Sequence, residues 1–291
     1  MTRAVGVIGL GIMGSAMSAN LAKKGCKVYG YDVLPKARSA LTRAGGAALA
    51  SPLEVFSKAK VIITSLPSAR ALQEVCKAAE GKGAIVIETS TLPIEEKAKA
   101  RAVLAKKGIT LLDCPLSGTG AQAKVGDLVV FASGERAAYN KARPAMKGFS
   151  RDQQYVGEFG NGSKMKFVAN LMVAIHNVSA GEAFALGIKA GLKPKAIFDV
   201  QANSAGTSRM FQVRGPMMVK GRYDDVTMKN EIWQKDMKII GAYARKLGVA
   251  TPTFSASAGV YKAAMAQGYG KQDTGAVCAV LERMSGLRRR R

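Results

Sequence analysis

The chain has 291 residues, 48% of them hydrophobic and 22% charged, a composition typical of a globular protein with one large or two ordinary domains. Its 44 Lys and Arg residues outnumber its 20 Asp and Glu residues, so the net charge is +24 and the protein attracts anions. Scattered cysteines without a CxxC pair and a single histidine argue against a disulfide framework and against a metal site.

The first part of the chain alternates apolar strand patterns with helical patterns. The predicted strands cover residues 4–10, 27–32, 60–66, 84–88, 110–113 and 128–133. The predicted helices cover residues 12–24, 36–44, 69–79, 93–107 and 135–146. This alternation predicts an α/β domain with a Rossmann-type, doubly wound, mostly parallel sheet.

The strand pattern ends near Gly160, and helical patterns follow over residues 163–190, 194–203, 230–246, 251–267 and 274–284. We therefore predict an α/β domain over residues 1–161 and an all-helical domain over residues 162–287, joined by one long helix. Residues 288–291 form a basic tail that we expect to be disordered.

A glycine-rich string lies between the first predicted strand and the first predicted helix. It reads Gly9-Leu10-Gly11-Ile12-Met13-Gly14, and a second strand ending in Asp32 follows the helix. In this setting the three glycines allow a tight turn, a close approach of the backbone to a pyrophosphate, and close packing of helix on strand. The N-terminus of the helix attracts phosphate groups. These six residues are therefore predicted to bind a dinucleotide.

Asp32 lies where a carboxylate can hydrogen-bond the ribose hydroxyls of the adenosine and repel the extra phosphate of NADP. NAD is therefore the predicted cofactor. Lys36 and Arg38 lie close by in sequence, so NADP remains possible.

The chain resembles the β-hydroxyacid dehydrogenases, a family that includes 3-hydroxyisobutyrate, 6-phosphogluconate and tartronate semialdehyde dehydrogenases. The resemblance covers essentially all 291 residues and rests on motifs in a fixed order. They are the glycine string with Met17, Asn20 and Leu21, then Ser65-Leu66-Pro67, Glu88-Thr89-Ser90-Thr91, Asp113-Cys114-Pro115-Leu116-Ser117-Gly118, Gly160-Asn161-Gly162-Ser163-Lys164-Met165-Lys166 with Asn170, and Lys235-Asp236.

The strand-end motifs acquire roles from this resemblance. Leu66, Pro67 and Thr91 follow strands whose carboxyl ends should face the cofactor, and the resemblance implies that they contact it. It also implies that Ser117 and Gly118 bind the substrate carboxylate. Thr119 stands where the family has a second glycine, and it adds a hydroxyl to this loop. Together with Ser117 and Gly118, Thr119 is predicted to hold the substrate carboxylate.

Lys166 and Asn170 are four residues apart and share one face of the predicted long helix. Oxidation of an alcohol needs a group that takes the hydroxyl proton, and the family spacing GxGxxxK selects Lys166 over Lys164 for this role. Because the ordinary pKa of lysine is about 10.4, burial and a second cation such as Lys235 are expected to lower it. Asn170 is expected to position the substrate.

Two further residues are predicted to bind substrate. The resemblance implies that Lys235 approaches the nicotinamide and the substrate, with Asp236 orienting it. Arg209 lies in a segment similar to the L-threonate dehydrogenase branch and suits a carboxylate or a polyhydroxylated acid. Val173 stands where the 6-phosphogluconate enzymes have a catalytic glutamate, which disfavours that activity.

The leading hypothesis is an oxidoreductase that transfers a hydride between NAD(H) and a short-chain hydroxy acid or semialdehyde, with L-threonate as the preferred type of substrate. The alternatives are 3-hydroxyisobutyrate oxidation and reduction of tartronate or succinic semialdehyde. A hypothesis of another class is a non-catalytic relative associated with nucleic acid or chromatin. Retention of Lys166 and Asn170 argues against it, and retention of Lys166 argues against imine reduction.

We expect a cytoplasmic homodimer or homotetramer without a membrane partner. No uninterrupted apolar run reaches the roughly 18 residues needed to cross a bilayer, and the N-terminus lacks a signal-peptide pattern. Basic residues are spread along the whole sequence and no basic–aromatic motif is found, so nucleic acid is not the expected partner, although the charge leaves it open.

Overall fold

The computed structural model describes residues 4–287 and 289, and it divides between Lys166 and Phe167 into two units. The strands are β1 (Ala4–Ile8), β2 (Lys27–Tyr31), β3 (Ala47–Ala48), β4 (Val61–Thr64), β5 (Ile85–Glu88), β6 (Thr110–Asp113), β7 (Leu116–Ser117), β8 (Val129–Ala132) and β9 (Asp152–Tyr155). The helices that accompany them are α1 (Ile12–Lys23), α2 (Pro35–Arg43), α3 (Pro52–Lys58), α4 (Ala69–Ala78), α5 (Ile94–Ala105), α6 (Gly120–Lys124) and α7 (Arg136–Phe149).

The later part of the chain is helical. Its helices are α8 (Asn161–Lys189), α9 (Pro194–Gln201), α10 (Arg209–Lys220), α11 (Asn230–Lys246), α12 (Pro252–Ala266) and α13 (Val277–Met284), with a 3-10 turn (Thr274–Ala276) leading into α13. Because α8 runs across the division at Lys166, the first unit holds only its opening turns. The predicted all-helical region beginning with one long helix is confirmed.

Six parallel strands form the main sheet of the first unit, in the order β3-β2-β1-β4-β5-β6. The order reverses at β1, as in a doubly wound Rossmann-type sheet, and the predicted fold class is confirmed. All six carboxyl ends lie at one edge. In register, Thr64 lies beside Glu88, and Glu88 lies beside Asp113.

The core of this unit lies on both faces of the sheet, because successive residues of a strand point to opposite faces. Val7, Ile63 and Ile87 belong to the cluster on one face, which α1, α6 and α7 complete. Ile8 and Ile62 belong to the cluster on the other face, with α3, α4 and α5. Strands buried on both faces read as continuous apolar runs, which is why the sequence revealed them.

Residues 128–133, predicted as the sixth strand of the main sheet, do not belong to that sheet. They contain β8, the centre of a separate three-stranded sheet in the order β7-β8-β9, where β7 is antiparallel and β9 parallel to it. A bridge between Asp113 and Ser133 links this sheet to the end of β6. The sixth parallel strand is instead the two-residue β3, which is too short to show a period.

Other elements absent from the predictions are also short or interrupted. They are α3, β7, α6, β9 and α10. Helix α10 contains Pro216 after Gly215, and both residues are typical of helix ends rather than helix interiors. Its N-terminus does carry a signal, because the hydroxyl of Ser208 accepts a hydrogen bond from the N–H of Phe211.

Among the described helices, α8 alone is long and apolar enough, by length and composition, to cross a membrane. Buried polar residues of α8 make hydrogen bonds to other helices of the protein. Within the second unit, Asn170 donates to Asp236 of α11 and Asn177 donates to the hydroxyl of Tyr261 of α12. These contacts are those of a domain helix.

The second unit is also held by a buried ion pair and by one residue of the basic tail. Arg214 Nε lies 2.9 Å from Asp273 Oδ1, with both side chains almost fully buried. Arg289 donates to the carbonyl oxygens of Met218 and Val219, at 2.6 and 2.9 Å, which satisfies the C-terminal end of α10. The expectation of disorder is therefore wrong for Arg289; Arg288, Arg290 and Arg291 lie outside the described residues.

Candidate functional site

The glycine turn between β1 and α1 has the geometry that its glycines predict. Gly9 has a φ of +90°, and a Cβ there would lie 2.2 Å from the carbonyl oxygen of Ser65. A Cβ on Gly14 would lie 1.9 Å from the carbonyl oxygen of Gly9. Both positions exclude any side chain because backbone atoms occupy the space.

Gly11 differs from the other two glycines, because a Cβ there would have no atom within 4 Å. Packing within the protein therefore does not require this glycine. Gly11 precedes the first turn of α1, whose free N–H groups form an anion site, and the neighbouring Ile12 is 60% exposed. An open cradle at a helix N-terminus, bordered by an exposed apolar side chain, fits a dinucleotide pyrophosphate.

Asp32 follows β2 and braces this turn. One carboxylate oxygen accepts a 2.7 Å hydrogen bond from the N–H of Leu10, and the other accepts a 2.8 Å bond from the N–H of Leu34. The side chain remains half-exposed. Since a carboxylate has about four lone-pair sites, it can still accept hydrogen bonds from a ribose. Arg38 donates to the backbone carbonyl of Asp32 at 2.6 Å.

The ends of β4 and β5 are joined by a hydrogen bond. The N–H of Leu66 donates to the hydroxyl of Ser90 at 2.8 Å. Pro67 is exposed and Thr91 half-buried, and both lie at the same edge of the sheet as the glycine turn. The structure thus brings Leu66, Pro67 and Thr91 to the edge where the cofactor was predicted.

The candidate carboxylate loop lies between β7 and α6. Gly118 has a φ of +137°, and a Cβ there would lie 2.6 Å from Leu128. Thr119 caps α6 in a capping box with Gln122: its hydroxyl accepts from the Gln122 N–H at 3.4 Å, and its own N–H donates to the Gln122 side chain at 3.0 Å. The added hydroxyl therefore stabilises the helix, and Ser117 remains half-buried beside it.

A buried ion triad lies directly behind these strand ends. Lys97 Nζ lies 2.9 Å from Glu88 Oε2 and 2.8 Å from Asp113 Oδ1, and all three side chains are fully buried. Burial would lower the pKa of Lys97, but Asp113 and Glu88 outweigh this effect and raise the pKa above its ordinary value. Lys97 therefore stays charged and neutralises one of two neighbouring carboxylates.

The triad holds two of the predicted site segments. Both carboxylate oxygens of Glu88 accept from the N–H of Ser90 at 3.1 Å. The carboxylate of Asp113 accepts from the N–H of Ser163 at 2.7 Å and from its hydroxyl at 2.8 Å. Ser163 lies in the first turn of α8, three residues before the half-buried Lys166. Gly162 permits this close approach, since a Cβ would lie 2.6 Å from the carbonyl oxygen of Asp113.

A second polar cluster lies within the second unit. The amide of Asn170 donates to Asp236 Oδ2 at 2.9 Å, and both side chains are buried. Lys235 Nζ lies 3.8 Å from Asp236 Oδ1 and is 36% exposed. Because the amide nitrogen of Asn170 donates to Asp236, the side-chain oxygen of Asn170 is the atom that can accept a hydrogen bond.

Arg209 and Cys114 lie in different units of the chain. Arg209 is exposed at the start of α10, where it donates to Gln212 of the same helix. Burial raises the pKa of the Cys114 thiol well above its ordinary value, so this cysteine is not a nucleophile. Within residues 4–287 and 289, no group of three or more His, Cys, Asp and Glu side chains forms a metal site.

The sequence reasoning missed the central cation of the triad. A signal for it was present, because two predicted neighbouring strands each end in an acidic residue, Glu88 and Asp113. Two buried carboxylates in register require a cation or a proton between them. Nothing in the pattern of α5 distinguishes Lys97 from the exposed Lys99, so the partner itself was not predictable.

Two family models match consecutive parts of the chain. Residues 4–157 match the NAD binding domain of 6-phosphogluconate dehydrogenase. Residues 160–281 match the NAD-binding region of NADP-dependent 3-hydroxyisobutyrate dehydrogenase. The two matches meet at the glycines that lead into α8.

Characterised relatives match nearly the whole chain. L-threonate dehydrogenase of Cupriavidus necator is 32% identical, over 96% of this chain and 96% of its own length. Glyoxylate/succinic semialdehyde reductase 1 of Arabidopsis thaliana is 32% identical, over 94% of this chain and 96% of its own. A solved structure of 3-hydroxyisobutyrate dehydrogenase from Salmonella typhimurium matches with a TM-score of 0.86 and 28% identity, covering 96% of this chain and 99% of that one.

Proposed function

This chain belongs to the 3-hydroxyisobutyrate dehydrogenase-like β-hydroxyacid dehydrogenases, NAD(P)-dependent enzymes acting on CH–OH groups, and we propose that it oxidises a polyhydroxylated acid such as L-threonate with NAD. The cofactor, when bound, supplies the hydride acceptor. The observation that carries the proposal is the pair Lys166 and Asn170, one helical turn apart in α8.

In this proposal, Lys166 takes up the proton of the reacting hydroxyl. As the C–H bond breaks and its electron pair leaves with the hydrogen, the O–H proton passes to the neutral amine of Lys166, and the carbon–oxygen bond becomes a carbonyl. In the reverse direction the ammonium returns that proton. Lys164, two residues earlier, is exposed and donates to Asn161 at 3.0 Å, so it is the weaker candidate.

Asn170 and Asp236 position this reaction in the proposal. The Asn170 amide nitrogen donates to Asp236, and its oxygen is assigned to accept a hydrogen bond from the substrate hydroxyl or from a lysine. Lys235, beside the same carboxylate, supplies a positive charge to the substrate. We propose that Arg209 binds the distal hydroxyls of the acid.

The acid's carboxylate is assigned to the loop at Ser117 and Gly118, where the Ser117 hydroxyl and backbone N–H groups can donate to it. The Thr119 hydroxyl already caps α6. We therefore assign the Thr119 backbone, and not its hydroxyl, to the carboxylate site. The dinucleotide is assigned to the turn of Gly9, Gly11 and Gly14 with the exposed edge of α1.

NAD is preferred to NADP in this proposal because Asp32 places a negative charge beside the turn. L-threonate is preferred because L-threonate dehydrogenases are among the relatives at 28–32% identity. 3-Hydroxyisobutyrate oxidation and the reduction of tartronate or succinic semialdehyde remain the alternatives. A glyoxylate/succinic semialdehyde reductase and a 3-hydroxyisobutyrate dehydrogenase match over similar lengths.

A panel of C3–C5 hydroxy acids assayed with NAD and NADP, and of glyoxylate and semialdehydes assayed with NADH and NADPH, tests the substrate. We expect the highest kcat/KM for L-threonate with NAD. A higher value for 3-hydroxyisobutyrate, or for glyoxylate and succinic semialdehyde reduction, would replace L-threonate by that substrate.

We also propose that the enzyme acts in the cytoplasm as a homodimer or homotetramer. Light scattering coupled to size-exclusion chromatography tests the assembly, and a mass equal to the 30.6 kDa of one chain would overturn it.

A further inference from the structure

The positive charge of the chain is not spread evenly over the first unit. In a parallel sheet with helical crossovers, each helix ends at the edge where the next strand begins. The last turns of α1 to α5, with the turns that lead into β2 to β6, cover residues 20–27, 40–46, 55–60, 75–84 and 102–109. These segments contain ten Lys and Arg residues and one acidic residue, Glu80, a net charge of +9.

The opposite edge, where the glycine turn lies, has the reverse balance. The turns that leave the parallel strands and the first turns of the following helices cover residues 9–14, 32–38, 49–54, 65–71, 89–96 and 114–119. They contain three basic and four acidic residues, a net charge of −1. Within the first unit, the excess charge of these turns therefore does not lie at the edge where the cofactor is predicted, and it cannot serve mainly to attract an anionic cofactor.

Hydrogen bonds show that the basic turns adjoin one another. Lys60 donates to the carbonyl of Lys82 at 3.2 Å, which joins the turns before β4 and β5. Lys107 donates to the carbonyl of Lys77 at 2.6 Å, which joins the turns before β5 and β6. Lys24 donates to the carbonyl of Lys147 at the end of α7 at 2.8 Å. Because β2 to β6 all belong to one parallel sheet, the remaining two turns lie at the same edge. We call the five turns together the lysine edge.

Helix ends explain only part of this charge. Cations are favourable beside the carbonyl groups at helix C-termini, and Lys24 and Lys107 meet such carbonyls directly. Others, including Lys58, Lys82 and Lys106, are exposed and have no described ion-pair partner. A surface recess of about 370 Å³ opens on this edge, and Lys58, Lys60 and Lys141 contribute to its lining.

We propose that the lysine edge binds the phosphate backbone of a double-stranded nucleic acid, a property beyond the dehydrogenase activity. Six strands spaced about 4.8 Å apart make an edge about 24 Å wide, which spans about seven base pairs at 3.4 Å each. None of its described residues is an exposed large apolar side chain. A surface without apolar or aromatic anchors neither inserts into a membrane nor stacks unpaired bases, so the duplex backbone is the fitting polyanion.

Fluorescence anisotropy with a labelled 24-base-pair DNA duplex, at salt concentrations from 50 to 200 mM, tests the proposal. The test variant is Lys58→Gln with Lys82→Gln and Lys106→Gln. The matched control is Lys193→Gln with Lys262→Gln and Lys271→Gln, which removes the same charge from exposed positions of the second unit. Turnover with NAD is measured for both, and we expect both to retain it because neither touches the proposed active-site residues.

We expect the wild-type protein to bind the duplex with a steep salt dependence. The test variant should bind about tenfold more weakly or worse at 100 mM salt, with a log–log salt slope shallower by about 2.7, since each lost phosphate contact contributes about 0.9. The control should keep the wild-type slope.

Three results would overturn the proposal: no binding by the wild-type protein at 50 mM salt, equal weakening in both variants, or binding to phosphatidylserine vesicles but not to the duplex. If the wild-type protein binds the duplex but shows no turnover with NAD, that result would count against the dehydrogenase assignment and not against this proposal.

Discussion

The backbone N–H of Ser163 donates a 2.7 Å hydrogen bond to the carboxylate of Asp113, so the end of β6 is tied to the first turn of α8. Lys97 holds the other oxygen of that carboxylate at 2.8 Å. Lys166 lies one turn further along α8. The placement of the proposed catalytic lysine therefore depends on a charge network buried behind the sheet.

Replacing Lys97 by Met tests this network. The change leaves Glu88 and Asp113 side by side without a cation, and breaking a buried ion pair in this way costs about 3–5 kcal/mol. We expect the free energy of unfolding, measured in urea, to fall by about that amount. Lys99→Met is the matched control, since Lys99 lies on the same helix in an exposed pair with Glu96. Equal losses in the two variants would contradict the structural role of Lys97.

The two outer glycines and the central glycine of the turn should respond differently to alanine. Gly9→Ala should lower the melting temperature, because its Cβ meets the Ser65 carbonyl at 2.2 Å. Gly11→Ala should leave the melting temperature within a few degrees of wild type, because its Cβ meets no protein atom. Gly11→Ala should weaken NADH binding about tenfold or more, because the added methyl group would stand where the backbone approaches the pyrophosphate. Unchanged NADH affinity in Gly11→Ala, measured by fluorescence titration, would remove this turn from the cofactor site.

Asp32→Asn tests the choice of cofactor. The amide keeps an oxygen that can accept a hydrogen bond from the loop, but it removes the negative charge. We expect the ratio of kcat/KM with NAD to kcat/KM with NADP to fall about tenfold, because the repulsion of the 2′-phosphate is lost. A ratio equal to that of the wild-type enzyme would show that Asp32 does not select the cofactor.

The pH dependence of stability should contain a contribution from Asp273. Burial would raise the pKa of this carboxyl, but Arg214 and donors including the Gly275 N–H outweigh this effect and hold the pKa below its ordinary value. A depressed pKa stabilises the fold above the unfolded pKa, and this contribution is lost as the pH falls through the folded pKa. Asp273→Asn should therefore reduce the free energy of unfolding at pH 7 and reduce it less at an acid pH where the Asp273 carboxyl of the folded protein is protonated. An equal reduction at both pH values would show that the charge of Asp273 is not responsible.

Most of the fold was predictable because its long elements have clear periods. The buried strands around Val7, Ile63 and Ile87 read as apolar runs, and the 17-residue α11 was predicted with its exact limits. The two-residue β3 and the five-residue α6 are too short to show a period. Their positions depend on the strands and helices against which they pack, so only the three-dimensional structure reveals them.

The candidate site divides in the same way. Gly9 and Gly14 were predictable because a backbone conformation or a close approach allows no other residue there. The role of Lys97 was not predictable. Its partners Glu88 and Asp113 are 9 and 16 residues away in sequence, and only the register of the strands brings the two carboxylates together. The distribution of charge was misleading in the sequence, where basic residues alternate with apolar segments. The crossover topology gathers them at one edge.

The most direct test of the account is the turnover of Lys166→Ala beside that of Lys164→Ala, each with the preferred hydroxy acid and NAD. General acid–base groups contribute about 10²–10⁴-fold to rate, so Lys166→Ala should lose that much kcat while its NADH affinity stays near that of the wild-type enzyme. Lys164→Ala should retain nearly full turnover. Substantial turnover in Lys166→Ala, or an equal loss in Lys164→Ala, would contradict the assignment of Lys166 as the general acid and base.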